Sequence, residues 1–414
     1  MKRLSTYPWT SWLLNAWVFI PVFLYFRIAL RYSVNIPWSD DYDAILGWLI
    51  HFKAAPYTEK ILLLFDQHNE HRLFASRLIY VLYNYVIGPV NFRVLTFIGN
   101  LQLVVVYCIS IYFIYKALPK YWTIPAFIWG LCLFDLNSYE NGGVAMTSIA
   151  NNGVIMYFFL SLFFYSLGDK HRYLVLALFC QFLCIYSNGN GMIGALFITG
   201  YTFLLKARVR FRFSLITTLI FSPLYFLHYY APPHERIPGL NWYHPVGFFL
   251  HMAGSHFSVE HSLLFAFAVG VALLFTLPFR SLWDRSEPRL LPFWAILGFV
   301  VATMAAAGAF RSNVQGVLYY DSKYMVYTNL LATLTFFFVF RQLQTIPLLL
   351  WSGTATMIII MFIAYHGNYE SGKGNFSLEN YKLTHWNYYY PDSSRARLIS
   401  EEACKAGVYC RPTK

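Results

Sequence analysis

The sequence predicts an all-α polytopic membrane protein with about eleven transmembrane helices. Two observations dominate. Hydrophobic residues fill 58% of the 414 positions and charged residues only 12%, with aromatics at 20%, whereas a soluble domain carries about 25% charged residues. Apolar stretches of the length that crosses a bilayer recur along the chain, and Lys and Arg collect in every second short connection between them. A soluble enzyme, a disordered chain and a collagen-like chain are excluded by this composition.

The first stretch, 11–31, follows Lys2 and Arg3 and reads as a signal anchor without a convincing cleavage site. Ten more stretches follow at 93–117, 121–137, 152–168, 172–187, 190–206, 213–231, 260–279, 290–310, 323–341 and 345–365. Lys116, Lys120, Lys170, Arg172, Lys206, Arg208, Arg210, Arg212, Arg280, Arg285, Arg289 and Arg341 fall in alternate connections, with only Asp169, Asp284 and Glu287 for acidic company. This places the N-terminus in the cytoplasm and the C-terminus outside it. Residues 1–365 then form a membrane module and 366–414 an extracytoplasmic tail. Leu73–Val90 is apolar enough to span, but a crossing there would turn every later basic loop outward. With Arg72, Arg77, Asn84 and Gly88-Pro89 it reads as an amphipathic or re-entrant helix at the outer interface; the alternative is that it spans and a short later segment does not. The net charge of +12 belongs to membrane orientation, and no nucleic-acid motif accompanies it. No internal repeat of the transporter kind is visible.

Cys108, Cys132, Cys180 and Cys184 lie in apolar stretches as small core residues. Cys404 and Cys410 lie in the polar tail, where an oxidising compartment permits a disulfide.

Polar chemistry is confined to the outer segments. The first outer loop, within 32–92, holds Asp40, Asp41, Asp43, Glu59, Asp66 and Glu70. A carboxylate pair beside a span is costly to desolvate and needs a cation or a hydroxyl partner; Asp40 or Asp41 suits a general base, and equally Ser39-Asp40-Asp41 suits a cap on the helix that follows. In His68-Asn-Glu-His-Arg72, a helix would bring His68, His71 and Arg72 onto one face. Arg72 suits a phosphate, two His and a Glu a divalent metal, and the whole stretch a loop solvated by headgroups. Ser138–Gly143 contains Glu140. Ser187-Asn-Gly-Asn-Gly191 contains Asn188, and its glycines suit a tight hairpin. Arg311 and Lys323 can hold a phosphate at the membrane surface, although Lys323 also suits a snorkelling helix end. His234, His244, His251, His256 and His261 share no diagnostic spacing, so 232–261 reads as a polar interfacial loop. Trp386–Tyr390 suits stacking on sugar rings or an aromatic belt.

Ser39-Asp-Asp-Tyr42, His68-Asn-Glu-His-Arg72, Tyr139-Glu-Asn141, Ser187-Asn-Gly-Asn-Gly191 and Asp321-Ser-Lys-Tyr324 together resemble, in order and spacing, a group of bacterial membrane proteins similar to GT-C glycosyltransferases. Within that class the chain looks most like the serotype-converting O-antigen glucosyltransferases, the Gtr proteins. The resemblance covers most of 35–330 as spaced landmarks. It implies a GT-C-like bundle with interfacial helices in the first extracytoplasmic loop, in the bacterial inner membrane. It also implies a polyprenyl-phosphate sugar donor and a glycan or lipid-linked acceptor. On that reading Asp40 or Asp41 is the base, and Arg72, Arg311 and Lys323 hold the leaving phosphate. Asp43, His68, Glu70, His71, Glu140, Asn188 and Tyr324 contact substrate. No cofactor is required and a divalent metal is optional. A transporter or flippase of lipid-linked sugars and an O-antigen polymerase or ligase are the rival expectations.

Overall fold

The structure, a computed structural model, describes residues 15–231, 243–257, 263–276, 287–312, 314, 322–344, 347–385, 388 and 390–412. Lys2, Arg3, His234, His261, Arg280, Asp284, Arg285, Asp321 and Trp386, named above, lie outside them. The described chain is almost wholly helical. Helix α1 is Ile20–Tyr32. The first loop then folds into α2 (Trp48–Ala54), entered through a π-helical turn at Tyr42–Gly47, α3 (Tyr57–Leu64) and α4 (Phe74–Val86). Next come α5 (Phe92–Ala117), α6 (Thr123–Leu133), the short α7 (Tyr139–Gly143) and α8 (Ala145–Ser166). They are followed by α9 (His171–Ile185), α10 (Gly191–Leu204), α11 (Arg208–Tyr225), α12 (Tyr243–Gly254) and α13 (Leu263–Thr276). The last are α14 (Leu291–Arg311), α15 (Ser322–Leu343), α16 (Pro347–His385) and α17 (Ser393–Lys405).

Among the described residues four helices are long and apolar enough to cross a membrane: Phe92–Ala117, Ala145–Ser166, Pro288–Arg311 and Ser322–Leu343. The chain is therefore a multi-pass, all-α membrane protein. The stretches expected at 121–137, 172–187 and 190–206 form helices of 11, 15 and 14 residues, about 16–22 Å long against a hydrocarbon core of about 30 Å.

Three sequence expectations change. The stretch 232–261 is not simply a polar loop, since 243–254 is helix α12 and His256 is buried at 1% exposure. The cause is close packing. A Cβ on Gly254 would stand 1.7 Å from the Ala266 carbonyl oxygen, and one on Gly270 2.0 Å from that of Leu250, so α12 and α13 touch backbone to backbone as small residues allow. Residues 366–414 are not wholly a separate tail, because α16 runs 39 residues to His385. Its residues 368, 372, 376 and 380 recur every four positions, which places them on one face. Asn368 reaches Asp135 at 2.9 Å, Gly372 abuts Leu136, Phe376 packs on Tyr139, and Asn380 donates to the Tyr32 carbonyl at 2.8 Å. Finally, His68–Arg72 is not helical. Gln67–His68 and His71–Arg72 form a two-stranded hairpin pairing Gln67 with Arg72 and His68 with His71. Asn69 turns it at φ 49°, a left-handed position that Asn tolerates.

Helix α4 has 13 residues, about 20 Å, too few to cross. It buries Ser76, Arg77, Tyr80 and Tyr83 against the bundle and exposes Leu82, Tyr85 and Val86. Cys404 and Cys410 are joined in a disulfide. The loop it closes lies on the first loop: the Val90 N–H donates to the Val408 carbonyl (2.6 Å), Lys53 Nζ to the Ala406 carbonyl (3.0 Å), and the Tyr409 hydroxyl to the Asn35 carbonyl (3.0 Å).

Candidate functional site

The polar landmarks of the sequence meet at one end of the bundle. The first loop covers that end and touches the tips of several helices, through apolar packing as well as the hydrogen bonds and ion pairs that follow. The doublet Asp40-Asp41 follows Ser39, whose φ of 49° turns the two side chains into different surroundings. Asp41 is 1% exposed. Its Oδ2 accepts from the Trp38 N–H at 3.0 Å and its Oδ1 from the Met146 N–H at 2.8 Å. Met146 lies in the first turn of α8, whose own N-cap position, Val144, has no side-chain acceptor. Asp41 therefore caps α8 from a distance, which the positive end of a helix favours. Burial pushes its carboxyl up to about 7, against the pull of those two N–H groups and with Asp40 adding to the rise. Of the two aspartates expected as base, Asp41 is the one whose oxygens are both engaged and shielded. It also does not cap the turn that follows it, which receives no side-chain hydrogen bond. Asp40 is partly exposed, and no hydrogen bond or ion pair holds its carboxylate among the described residues.

Arg72, expected to hold a phosphate, makes structural contacts. It is buried; its Nε donates to the Tyr225 carbonyl at 2.6 Å, and Nη1 and Nη2 donate to the Phe65 and Leu227 carbonyls. Tyr225 is the last residue of α11, so the guanidinium satisfies carbonyls at and just beyond that helix end together with the Phe65 carbonyl, which commits three of its five N–H groups. Asp43, expected to contact substrate, accepts from the Tyr390 hydroxyl and from Arg395 Nη2 at 2.7 Å, fastening residues 390–395 to the first loop.

What remains is a compact charged group. Arg311, at the end of α14, pairs with Glu70 at 2.8 Å, and His71 Nε2 lies 3.8 Å from the same carboxylate. Burial raises the Glu70 carboxyl, but Arg311 and His71 more than offset it, so it sits below its usual value. The Gly189 N–H donates to His71 Nδ1 at 3.2 Å, which leaves the ring proton on Nε2. Burial brings the His71 ring down to about 4, Glu70 opposing and Arg311, His68 and Lys323 reinforcing. His68 is lowered first by burial, while Asp40 and Asp43 pull the other way. Glu70, His68, Arg311 and Lys323 thus act together on His71, and Asp40 acts on His68. Lys323 Nζ stands 5.5 Å from the Tyr324 ring centroid.

Beneath this group runs a chain of amides, of which the sequence reading named Asn188 as a substrate contact and did not name Asn151. Asn188 Nδ2 donates to Asn151 Oδ1 (2.6 Å), Asn151 Nδ2 to Asn141 Oδ1 (2.9 Å), and Asn141 Nδ2 to the Lys323 carbonyl (2.9 Å). The Glu140 N–H donates to Ser322 Oγ at 3.2 Å. Glu140, Asn188 and Tyr324 are therefore grouped with the cations, and Asn188 acts as a strut between helices. The signal in the sequence was the repeated Asn beside Gly at helix tips. Deeper still, the His256 ring bonds Asn329 Oδ1 at 2.9 Å through Nδ1 and meets the Cys132 thiol at 3.6 Å through Nε2. Asn368 ties Asp135 to the His256 carbonyl at 2.9 Å each. All five are buried and mutually satisfied, which is how polar groups persist in a bundle core. Among the described residues no set of three His, Cys, Asp or Glu is placed to hold a metal ion.

No protein-family model matches the sequence, and no curated protein is similar enough to count as a relative.

Proposed function

We propose that the chain is a GT-C-type membrane glycosyltransferase that moves a hexose from a polyprenyl-phosphate carrier to an extracytoplasmic glycan or lipid-linked acceptor such as O-antigen. The observation that carries this reading is the charged group where polar loops meet apolar helix ends: Arg311 paired with Glu70 at 2.8 Å beside His71, and Asp40, which acts on the nearby His68 and whose carboxylate no hydrogen bond or ion pair holds among the described residues. An acceptor hydroxyl attacks the anomeric carbon, Asp40 takes its proton, and the bond from that carbon to the phosphate oxygen breaks. The carrier leaves as a phosphate with one more negative charge, and Arg311, Lys323 and the Nε2–H of His71 stabilise it. A single displacement inverts the anomeric centre. No step requires a metal or cofactor.

Orientation supports the same reading. Lys116, Lys120, Lys170, Arg172, Lys206, Arg208, Arg210, Arg212 and Arg341 lie at or beside the helix ends opposite the site, where Arg210 pairs with Asp169 at 2.6 Å and Arg341 with Glu287 at 3.0 Å. By the positive-inside rule that end is cytoplasmic, so the site opens to the periplasm of a bacterial inner membrane. The finer arrangement is eleven helices inserted in the bundle with α4 at the interface.

The test is sugar transfer from a polyprenyl-phosphate hexose in proteoliposomes. Asp40→Asn lowers kcat by about 10²–10⁴ with unchanged thermal stability. Full turnover in that variant removes the base, and transfer that persists without the lipid-linked donor removes the donor class.

A further inference from the structure

The geometry points to Glu70 as a resident counter-anion that holds Arg311 until the leaving phosphate develops its second negative charge, and that takes Arg311 back to release the spent carrier. The inference rests on the lipid-phosphate donor reading and adds to it a residue that sets the order of binding and release.

The argument begins with charge. Among the described residues, Arg311 and Lys323 act on a neutral His71, and the carboxylate paired with Arg311 is that of Glu70, at 2.8 Å. Glu70 sits at the tip of the hairpin beside the left-handed Asn69. The following strand is anchored by Arg72 to the end of α11. The carboxylate is thus presented from a fixed base. Both members of the pair keep about a fifth of their side chains exposed, 22% and 21%, so an incoming anion can reach Arg311 without unpacking the core.

A sugar-loaded carrier is a phosphodiester with one negative charge, whereas the departing carrier is a monoester approaching two. A monoanion competes with a carboxylate for one guanidinium on nearly equal terms. A dianion does not, because Coulomb attraction doubles while the carboxylate's stays fixed. Arg311 therefore shifts from Glu70 to phosphate as the glycosidic bond breaks, which strengthens an interaction in the transition state more than in the ground state. Once the sugar has left, Glu70 is still in place beside Arg311 and its return weakens the grip on the product. Without such an anion, two permanent cations would hold a dianion tightly and turnover would stall.

The test measures binding of undecaprenyl phosphate to the full chain in nanodiscs, with undecaprenol as the blank. Glu70→Gln and the shorter Glu70→Asp, which keeps the charge but draws it back from Arg311, each tighten binding by roughly fivefold and raise product inhibition by the same lipid, while Arg311→Gln weakens both. Unchanged or weaker binding in the two Glu70 variants, with wild type binding normally, overturns the counter-anion and leaves the donor reading standing. If wild type and all variants bind undecaprenyl phosphate no better than undecaprenol, the donor reading fails and the inference falls with it.

Discussion

Asp40 and Asp41 are joined by one peptide bond and share almost no surroundings. Asp41 is sealed against the N-terminus of α8, while Asp40 is partly exposed and acts on His68. The folded chain holds the Asp41 carboxyl at about 7, against about 3.9 when unfolded, so the folded state binds more protons between those values. Stability from this group is greatest below pH 4, falls as pH rises toward 7 and is flat beyond. Asp41→Asn removes that slope but leaves one backbone N–H without an acceptor, at a cost of about 1–3 kcal/mol. Thermal melts of the purified protein should show the variant less stable than wild type at pH 5, and the gap narrowing at pH 8. A constant gap across that range sinks the assignment. The doublet itself is visible in the sequence; its division of labour is not, because it depends on the left-handed backbone at Ser39 and on a helix start more than a hundred residues away. Arg72 misled for the same reason. A guanidinium beside two histidines looks free in sequence, yet each of its three nitrogens donates to a backbone carbonyl, of Tyr225, Phe65 and Leu227.

Helices were legible where apolar length alone defines them, as in α5, α14 and α15. They were obscured where packing stands in for length. His244, Pro245, Gly247 and His251 make α12 look like a loop, yet its glycine contact with α13 makes it a helix. The polar residues after 366 look like a tail, and only their spacing of four shows the face that α16 turns to the bundle. The disulfide belongs to this scale. Cys404 and Cys410 close a short loop whose carbonyls meet Lys53 and Val90, so replacing both with Ser releases roughly 2–3 kcal/mol of chain restraint at that contact. The expected results are faster amide exchange at Val90 and faster tryptic cleavage at Arg395 and Arg397, with the membrane helices unaffected. Equal cleavage rates would show that Asp43, Tyr390 and Arg395 hold the segment without the crosslink.

For the whole molecule, charge asymmetry and hydropathy revealed the membrane class and the face on which polar motifs gather. They could not reveal that five separated motifs form one group, since that depends on how the helix tips converge. Sidedness is open to direct measurement. A membrane-impermeant maleimide applied to intact cells should label Tyr57→Cys, at 88% exposure on the first loop, and spare Lys170→Cys between α8 and α9; the reverse pattern would put the site in the cytosol. Helix α16 adds one consequence. At 39 residues it is about 58 Å of rod, fixed at four successive turns to the buried His256 group, to Leu136, to Tyr139 and to the end of α1. A rod notched in this way acts as a depth gauge. The polar rim stands at a height counted out in peptide units, and a thicker or thinner bilayer has to adjust its lipids around the protein, because the rim cannot sink or rise to meet them.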